Sequence, residues 1–308
     1  MSKSTWTAEQ IPSQQGKTVL ITGANSGIGY QAAVQLARHG AHVLLGVRNV
    51  SKGEAALAKL KQQAPGANAE LVELDMASLA SIRRFAQAFT GPLDVLVNNA
   101  GVMALTQREV TENGFERQFG TNHLGHFALT GLLMPRLLEA NAPRVVTVSS
   151  LAHRNGRIAF ENLQGEKSYV PWDAYNQSKL ANLLFALELD RKARAAGSRL
   201  MSIAVHPGIS RTSIIENGPG STALKAVVLK ILAPVLMQSD EDGALPTLYG
   251  ATAAAAQGGQ YIGPDGFKSF KGKPTVEEPR PQGKDETVAR KLWEVSEELT
   301  GVVYPALR

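Results

Sequence analysis

An alternation constrains this fold more than any single residue does. Short apolar runs recur along the chain, each followed by a stretch of helical character. The runs are "KTVLIT" (17–22), "AHVLLGV" (41–47), "AELVELD" (69–75), "LDVLVNN" (93–99), "RVVTVSS" (144–150) and "RLMSIAVHPG" (199–208), with "GQYIG" (259–263) as the final strand. Between them the pattern predicts a helix from Gly27 to about His39, one opening at Ser51 and one after Ser78. Ser51 with Glu54 three residues on has the form of a capping box. A long helix follows over about 112–139, then one that carries Tyr175. In that last helix Leu180, Leu183, Leu184 and Leu187 recur at i, i+3, i+4 and i+7. Short apolar strands separated by helices imply a parallel sheet covered on both faces. No fixed-period repeat or linker divides the chain. It reads as a single doubly wound α/β domain over residues 17–308, with a polar arm over 1–16 and a terminal helix over 290–302 stopped by Gly301.

Composition removes several function classes. The chain has no cysteine, which excludes disulfides, thiolate catalysis and cysteine-based zinc sites and accords with a cytoplasmic protein. The net charge of +5 comes from scattered lysines and arginines, without the dense basic patch that nucleic-acid binding requires. No run approaches the roughly 18 consecutive apolar residues of a membrane span, and the N-terminus lacks the apolar core of a secretory signal. His123 and His126 stand three apart, but no third ligand is spaced to join them. They read as satisfied helix histidines, and no metal is expected.

In a doubly wound sheet, ligands bind outside the carboxyl ends of the strands, where strand order reverses. The first strand ends in T-G-A-N-S-G-I-G (22–29), so Gly23, Gly27 and Gly29 open the next helix. Glycines permit a tight turn and close approach of a pyrophosphate, and the helix start offers free N–H groups. The spacing is G-x-x-x-G-x-G, and a P-loop is excluded because no Gly-Lys-Ser/Thr follows. The second strand ends in G-V-R-N. An acidic side chain here would bind ribose hydroxyls and favour NAD. Arg48 stands next to Val47 instead, and a guanidinium suits the 2′-phosphate of NADP. Further strand ends supply Asp75 for the adenine amino group, Asn98 in N-N-A-G (98–101), Ser149 with Ser150, and the H-P-G break (206–208) that could admit a nicotinamide.

The Tyr175 helix carries a phenol and an ammonium four residues apart, hence on one helix face. A free tyrosine titrates near 10, and about 3 units of lowering amount to about 4 kcal/mol. One ammonium at about 4 Å, at an effective dielectric near 20, supplies about that much.

Together these motifs resemble the short-chain dehydrogenase/reductase family. The resemblance runs from about Lys17 to Tyr261 and rests on T-G-A-N-S-G-I-G, N-N-A-G, Asn122 in F-G-T-N-H-L-G-H-F, Ser150, Y-N-Q-S-K (175–179) and H-P-G. V-S-S-L-A-H (148–153), L-Q-G-E-K (163–167) and S-K-L-A-N (178–182) resemble the branch of retinol dehydrogenases and protochlorophyllide reductases. Those relatives often carry a membrane anchor or plastid address, and neither is expected here. The resemblance implies that Tyr175 is the acid/base and that Lys179 holds the nicotinamide ribose and lowers the tyrosine pKa. It also implies that Ser150 binds the substrate oxygen and that Asn122 anchors a relay water. The cofactor-binding set expected from it is Gly23, Asn25, Ser26, Gly27, Ile28 and Gly29, then Arg48, Asn49, Asp75 and Met76. Asn98, Ala100 and Gly101 follow, then Tyr175, Lys179, Pro207, Gly208, Ile209 and Thr212. Ser150 and Tyr175 are 25 apart, where compact members of the family keep them much closer. The retinol dehydrogenase-like branch shares the longer spacing.

The longer spacing makes residues 154–173 a loop overhanging the site, with Phe160, Tyr169 and Trp172 as pocket candidates or as a loop packing on itself. The apolar stretch 221–238, within a 209–238 lid, would select an apolar substrate, or else form a core helix or a membrane contact. Neither the 122–139 helix nor the Tyr175 helix has a clean polar face, which implies cover on all sides and predicts a homodimer, or a monomer in which the 154–173 loop gives that cover. The function expected is an NADP(H)-dependent alcohol dehydrogenase or carbonyl reductase for a lipophilic small molecule. Reduction of a conjugated double bond, or a non-catalytic NADP-binding sensor or scaffold, is the alternative.

Overall fold

The computed structural model describes residues 5–209 and 238–307. Seven strands run parallel: β1 (Thr18–Thr22), β2 (His42–Val47), β3 (Ala69–Glu73), β4 (Val95–Asn98), β5 (Arg144–Val148), β6 (Met201–Val205) and β7 (Tyr261–Pro264). An eighth, β8 (Pro274–Glu277), pairs antiparallel with β7. The sheet order is β3-β2-β1-β4-β5-β6-β7-β8, so strand order reverses between β1 and β4. The sheet is therefore parallel as expected except at this edge. β8 was not anticipated because "PTVE" is too short and polar to stand out as a strand.

Each central strand is apolar on both sides because both sides are covered. Val19 and Ile21 of β1 and Val43 and Leu45 of β2 face one layer, with α1 (Gly27–Arg38), α2 (Val50–Gln63) and α7 (Asp240–Thr252). Leu20, Leu44 and Leu96 face the other, with α3 (Leu79–Ala88), α5 (Gly125–Leu138), α6 (Pro171–Ala195) and α8 (Glu286–Thr300). The period of two along a strand sends neighbouring residues to opposite layers.

Several boundaries differ from the sequence reading for local reasons. α2 is capped by Asn49, whose side chain accepts from Lys52 N at 2.9 Å, two residues before the expected Ser51 start. The helix expected from 112 begins as α4 (Arg117–Phe119), because Glu116 caps it through Gln118 N and Phe119 N. It then passes through a π-helical turn, Gly120–Leu124, into α5. Such one-turn π segments redirect a helix and free its backbone groups for other partners. The terminal helix ends at Thr300, and Gly301 caps it at φ 63. Residues 5–16, expected as an arm, lie against the domain. Ile11 is buried and Trp6 meets Tyr249 edge-on at 5.3 Å.

The apolar faces that prompted the homodimer expectation are covered within the chain. Phe127 of α5 and Phe185 of α6 both pack against Trp293 of α8. Tyr304 closes over Phe127, and its hydroxyl donates to Phe127 O at 2.6 Å. The C-terminal helix and tail supply much of this cover, and the 154–173 loop adds to it through Ile158 and Leu163, which pack with Leu180 and Leu184 of α6.

Candidate active site

A cavity of about 790 Å³ opens at the carboxyl ends of the strands, beside the β1/β4 switch point. Its first wall is the glycine turn. Gly23 has φ +67, and a Cβ there would lie 2.9 Å from Ala100 Cα. A Cβ on Gly29 would meet Asn99 Nδ2 at 2.4 Å and Gly23 O at 2.7 Å. Only glycine lets the start of α1 sit this close to β4. Asn25, Ser26, Gly27 and Ile28 complete this wall, and α1 directs its first N–H groups and its positive dipole end at the cavity. Arg48, Asp75, Met76, Ala100 and Gly101 also face it. Asp75 spends one carboxylate oxygen on Ala77 N at 2.9 Å. A glycine cradle at a helix start, a cationic Arg48 beyond β2 and this volume suit a dinucleotide with a bridging pyrophosphate.

The opposite wall carries Ser150, Tyr175 and Lys179 with Pro207, Gly208 and Ile209. α6 starts with Pro171 in its first turn, which places Tyr175 and Lys179 one turn apart inside it. Lys179 is buried and donates to Val148 O at 3.1 Å, with its nitrogen 5.9 Å from the Tyr175 ring centre. Burial pushes Lys179 down to about 8. It pushes Tyr175 up, although the ring keeps some exposure, and a hydrogen bond with Ser150 offsets part of the rise. The structure therefore differs from the charge-only expectation of a phenol lowered by lysine. Desolvation dominates, and Ser150 is the group that pulls downward. Ser149 is occupied elsewhere, donating to Lys179 O at 2.7 Å, which leaves Ser150 as the serine paired with Tyr175.

Three expected residues stand behind the wall or away from it. Asn98 is fully buried and donates to Thr130 Oγ1 at 3.0 Å, while its neighbour Asn99 lines the cavity. The strand's period of two explains the exchange, since Asn98 and Asn99 face opposite layers. Asn122 lies in the π turn, and its amide donates to Val102 O and Ser178 Oγ, both at 2.9 Å. Its Oδ1 accepts from Val102 N at 2.8 Å. It braces the cavity floor and the Tyr175 turn together. Asn49 caps α2 and does not line the cavity. Thr212 and nearly all of the expected lid lie outside the described residues.

One residue read as merely satisfied has a wider part. His126 Nδ1 is 2.8 Å from Asn122 O, and Nε2 is 2.8 Å from Thr22 Oγ1. A carbonyl only accepts, so Nδ1 carries the proton and Thr22 donates to Nε2. Thr22 Oγ1 in turn accepts from Asn99 N and Ala100 N, both at 2.9 Å. His126 thereby ties the ends of β1 and β4 to the π turn. Burial holds it neutral, at about 4. Of the expected aromatics, Trp172 lines the cavity. Tyr169 is spent on Leu105 O at 2.9 Å, and Phe160 sits under Lys291. Phe270, from the β7–β8 connection, also lines the cavity, and no local pattern marks it. Among the described residues no cluster of His, Asp or Glu converges to hold a metal, and no helix is long and apolar enough to cross a membrane.

A doubly wound sheet with a glycine-lined cavity at its switch point defines the class of dinucleotide-binding α/β proteins. The family model described as short chain dehydrogenase matches residues 17–219, and the chain belongs to the short-chain dehydrogenase/reductase family of oxidoreductases. It is 41% identical over 300 residues to retinol dehydrogenase 13 of Homo sapiens, covering 95% of this chain and 87% of that protein. It is 42% identical over 304 residues to retinol dehydrogenase 14 of Mus musculus, covering 94% and 87%. A crystal structure of an uncharacterized protein from Mycobacterium Paratuberculosis, 44% identical, superposes with a TM-score of 0.82 over 98% of this chain and 100% of that one.

Proposed function

We propose that the protein is an NADP(H)-dependent carbonyl reductase or alcohol dehydrogenase for lipophilic small molecules, with Tyr175 as acid/base. The observation that carries this reading is the cluster of Ser150, Tyr175 and Lys179 on the wall facing the glycine turn, within one cavity. Gly23 to Gly29 and the first turn of α1 would hold the pyrophosphate, Arg48 the 2′-phosphate, and Pro207 to Ile209 the nicotinamide end. A bound nicotinamide supplies or takes up hydride. Ser150 holds the substrate oxygen, and Tyr175 passes its hydroxyl proton to that oxygen in reduction and recovers it in oxidation. Lys179 keeps its charge below about 8, so at neutral pH it can bind ribose hydroxyls. Asn122 holds the Tyr175 turn in register through Ser178.

The substrate side of the cavity supports an apolar ligand. Val102, Met103, Leu151, Trp172 and Phe270 line it beside Ser150, and the relatives at about 40% identity are named as retinol dehydrogenases. A panel of retinal, straight-chain aldehydes, ketones and secondary alcohols, followed by NADPH absorbance, tests the reading. Turnover of apolar carbonyls that outpaces short polar ones is the expected result. No turnover with any member, despite NADPH binding, would move the protein to the non-catalytic class.

A further inference from the structure

Glu277 is the inward-facing end of β8, opposite Tyr261 in the antiparallel register, and its side chain is only 12% exposed. It lies beyond the residues matched by the family model, on the edge strand that the sequence pattern does not announce. Its carboxylate faces two basic groups. Oε1 is 3.3 Å from His206 Nε2, and Oε2 is 3.5 Å from Arg154 Nη2.

Each partner adjoins a different turn of the same cavity wall, the one that carries Ser150 together with Pro207 and Gly208. His206 is fully buried at the head of the H-P-G turn, and its Nδ1 accepts from Gly208 N at 3.1 Å. Since Nδ1 accepts, Nε2 carries the proton, and Glu277 is the acceptor that makes this tautomer favourable. Arg154 lies in the turn Leu151–Asn155 that Ser150 caps. It also donates to Lys268 O and Ser269 Oγ, both at 3.2 Å. The adjoining His153 places Nδ1 2.7 Å from Ser150 O.

Gly263 of β7 is shaped around this pair. A Cβ there would lie 1.9 Å from His206 Nε2 and 2.5 Å from Glu277 Oε1. The strand omits a side chain where the imidazole and carboxylate meet. Burial alone would raise Glu277, but His206, Ser269 and Arg154 outweigh it and hold the carboxyl below its ordinary range.

We infer that Glu277 is a positioning residue: it sets the His206 tautomer that fixes the Pro207–Gly208 turn and, through Arg154, the turn that presents Ser150. The Pro207–Gly208 turn and the Ser150 turn then keep one separation along that wall, which hydride and proton transfer to the same carbonyl group both require. The inference rests on the proposed function for its kinetic consequence, but not for its tautomer.

Three full-length variants test it: Glu277→Ala, Glu277→Gln, and Tyr175→Phe as the reference. With NADPH and retinal or nonanal, Glu277→Ala should lower kcat on the order of 10- to 100-fold at temperatures where the variant remains folded, because misplacement by about 1 Å is that costly. Glu277→Gln keeps an acceptor for His206 Nε2–H and should recover part of the loss. Histidine ¹⁵N NMR should show His206 protonated on Nε2 in the wild type and in Glu277→Gln, and a changed signature in Glu277→Ala. An unchanged His206 signature in Glu277→Ala overturns the inference, as does a kcat within about twofold of wild type. So does a rate loss that merely follows a lost folded fraction and is not recovered by glutamine. If the wild type shows no Tyr175-dependent turnover, the functional reading fails, and the NMR arm alone decides the role of Glu277.

Discussion

Acid should unfold this protein through its buried histidines, and His126 should account for about a third of the effect. An unfolded histidine titrates near 6.5, whereas burial brings His126 and His153 to about 4 and His123 to about 3. All three are 1% exposed. A histidine held neutral in the fold binds fewer protons than the unfolded chain does. Its contribution is complete above the unfolded value of 6.5 and is lost as the pH falls toward the folded one. At about pH 5 each site lies about 1.5 units below the unfolded value, which amounts to about 2 kcal/mol each and about 6 kcal/mol for the three. That is a large share of an ordinary stability of about 5–15 kcal/mol. Glu277, held low, acts in the same direction once the pH approaches the carboxylate range. Glu116 and Asp190, both raised by burial, act in the opposite direction.

His126→Asn separates these contributions. Asparagine keeps an N–H for Asn122 O, does not titrate, and gives up the bond with Thr22, at a cost of about 1–2 kcal/mol near neutrality. Urea denaturation followed by circular dichroism between about pH 7 and 5 should show the variant less stable at the top of the range. Its slope should be shallower by about 1 kcal/mol per pH unit. A variant slope equal to that of the wild type would mean that His126 is not held neutral. A wild-type stability flat over the same range would refute the reasoning for all three sites.

Three further outcomes can be checked directly. Tyr175→Phe should cut turnover at least about 100-fold while NADPH binding, read by fluorescence titration, survives; a variant with a tenth or more of the wild-type rate, on the order expected without acid–base loss, would remove Tyr175 from that role. Arg48→Ala should weaken NADPH by about 1.5–3 kcal/mol and leave NADH nearly unchanged, since only NADPH has a 2′-phosphate to pair; equal weakening of both would leave the NADP preference without a cause. Light scattering across a dilution series should give the mass of one chain, because α8 and Tyr304 already cover α5 and α6. A doubled mass that persists on dilution would place a homodimer interface on some other surface.

The parallel sheet was legible because it is buried on both faces. Six internal strands in their order, and the helices between them, follow from apolar runs that no solvent-facing strand could carry. The β8 edge was not legible, although the β3 edge was. β8 is four residues long with Val276 half exposed, and only its pairing with β7 makes it a strand. The helix over 117–138 was visible as a whole, but its π turn was not. That turn depends on Gly120, Gly125 and the close packing of Met76 O against Gly125, where a Cβ would stand 2.3 Å away. The homodimer expectation rested on faces that α8 covers in part, and the terminal helix was read in the sequence without its docking site. A hydrophobic stripe shows that a face is covered without showing by what.

In the cavity, strand-end logic found the positions and missed their directions. Two adjacent asparagines at the end of β4 cannot both face the ligand, and choosing between them requires the register that pairs Asn98 with Thr147. Asn122 carries a motif's signature, yet its side chain is used on Val102 and Ser178. The largest gap concerns Tyr175. Counting charges along α6 gives an attraction between ammonium and phenolate and therefore a lowered phenol. That count assumes an exposed or half-exposed pair at about 4 Å. Burial acts on both groups at once, bringing the lysine down to about 8 and raising the phenol it was to lower. A phenol above its ordinary value keeps its proton at neutral pH, which is the form that protonates a carbonyl oxygen. Running the reverse reaction would need additional positive charge beside Tyr175 or a higher pH, so in the proposed enzyme alcohol oxidation should rise with pH where carbonyl reduction does not.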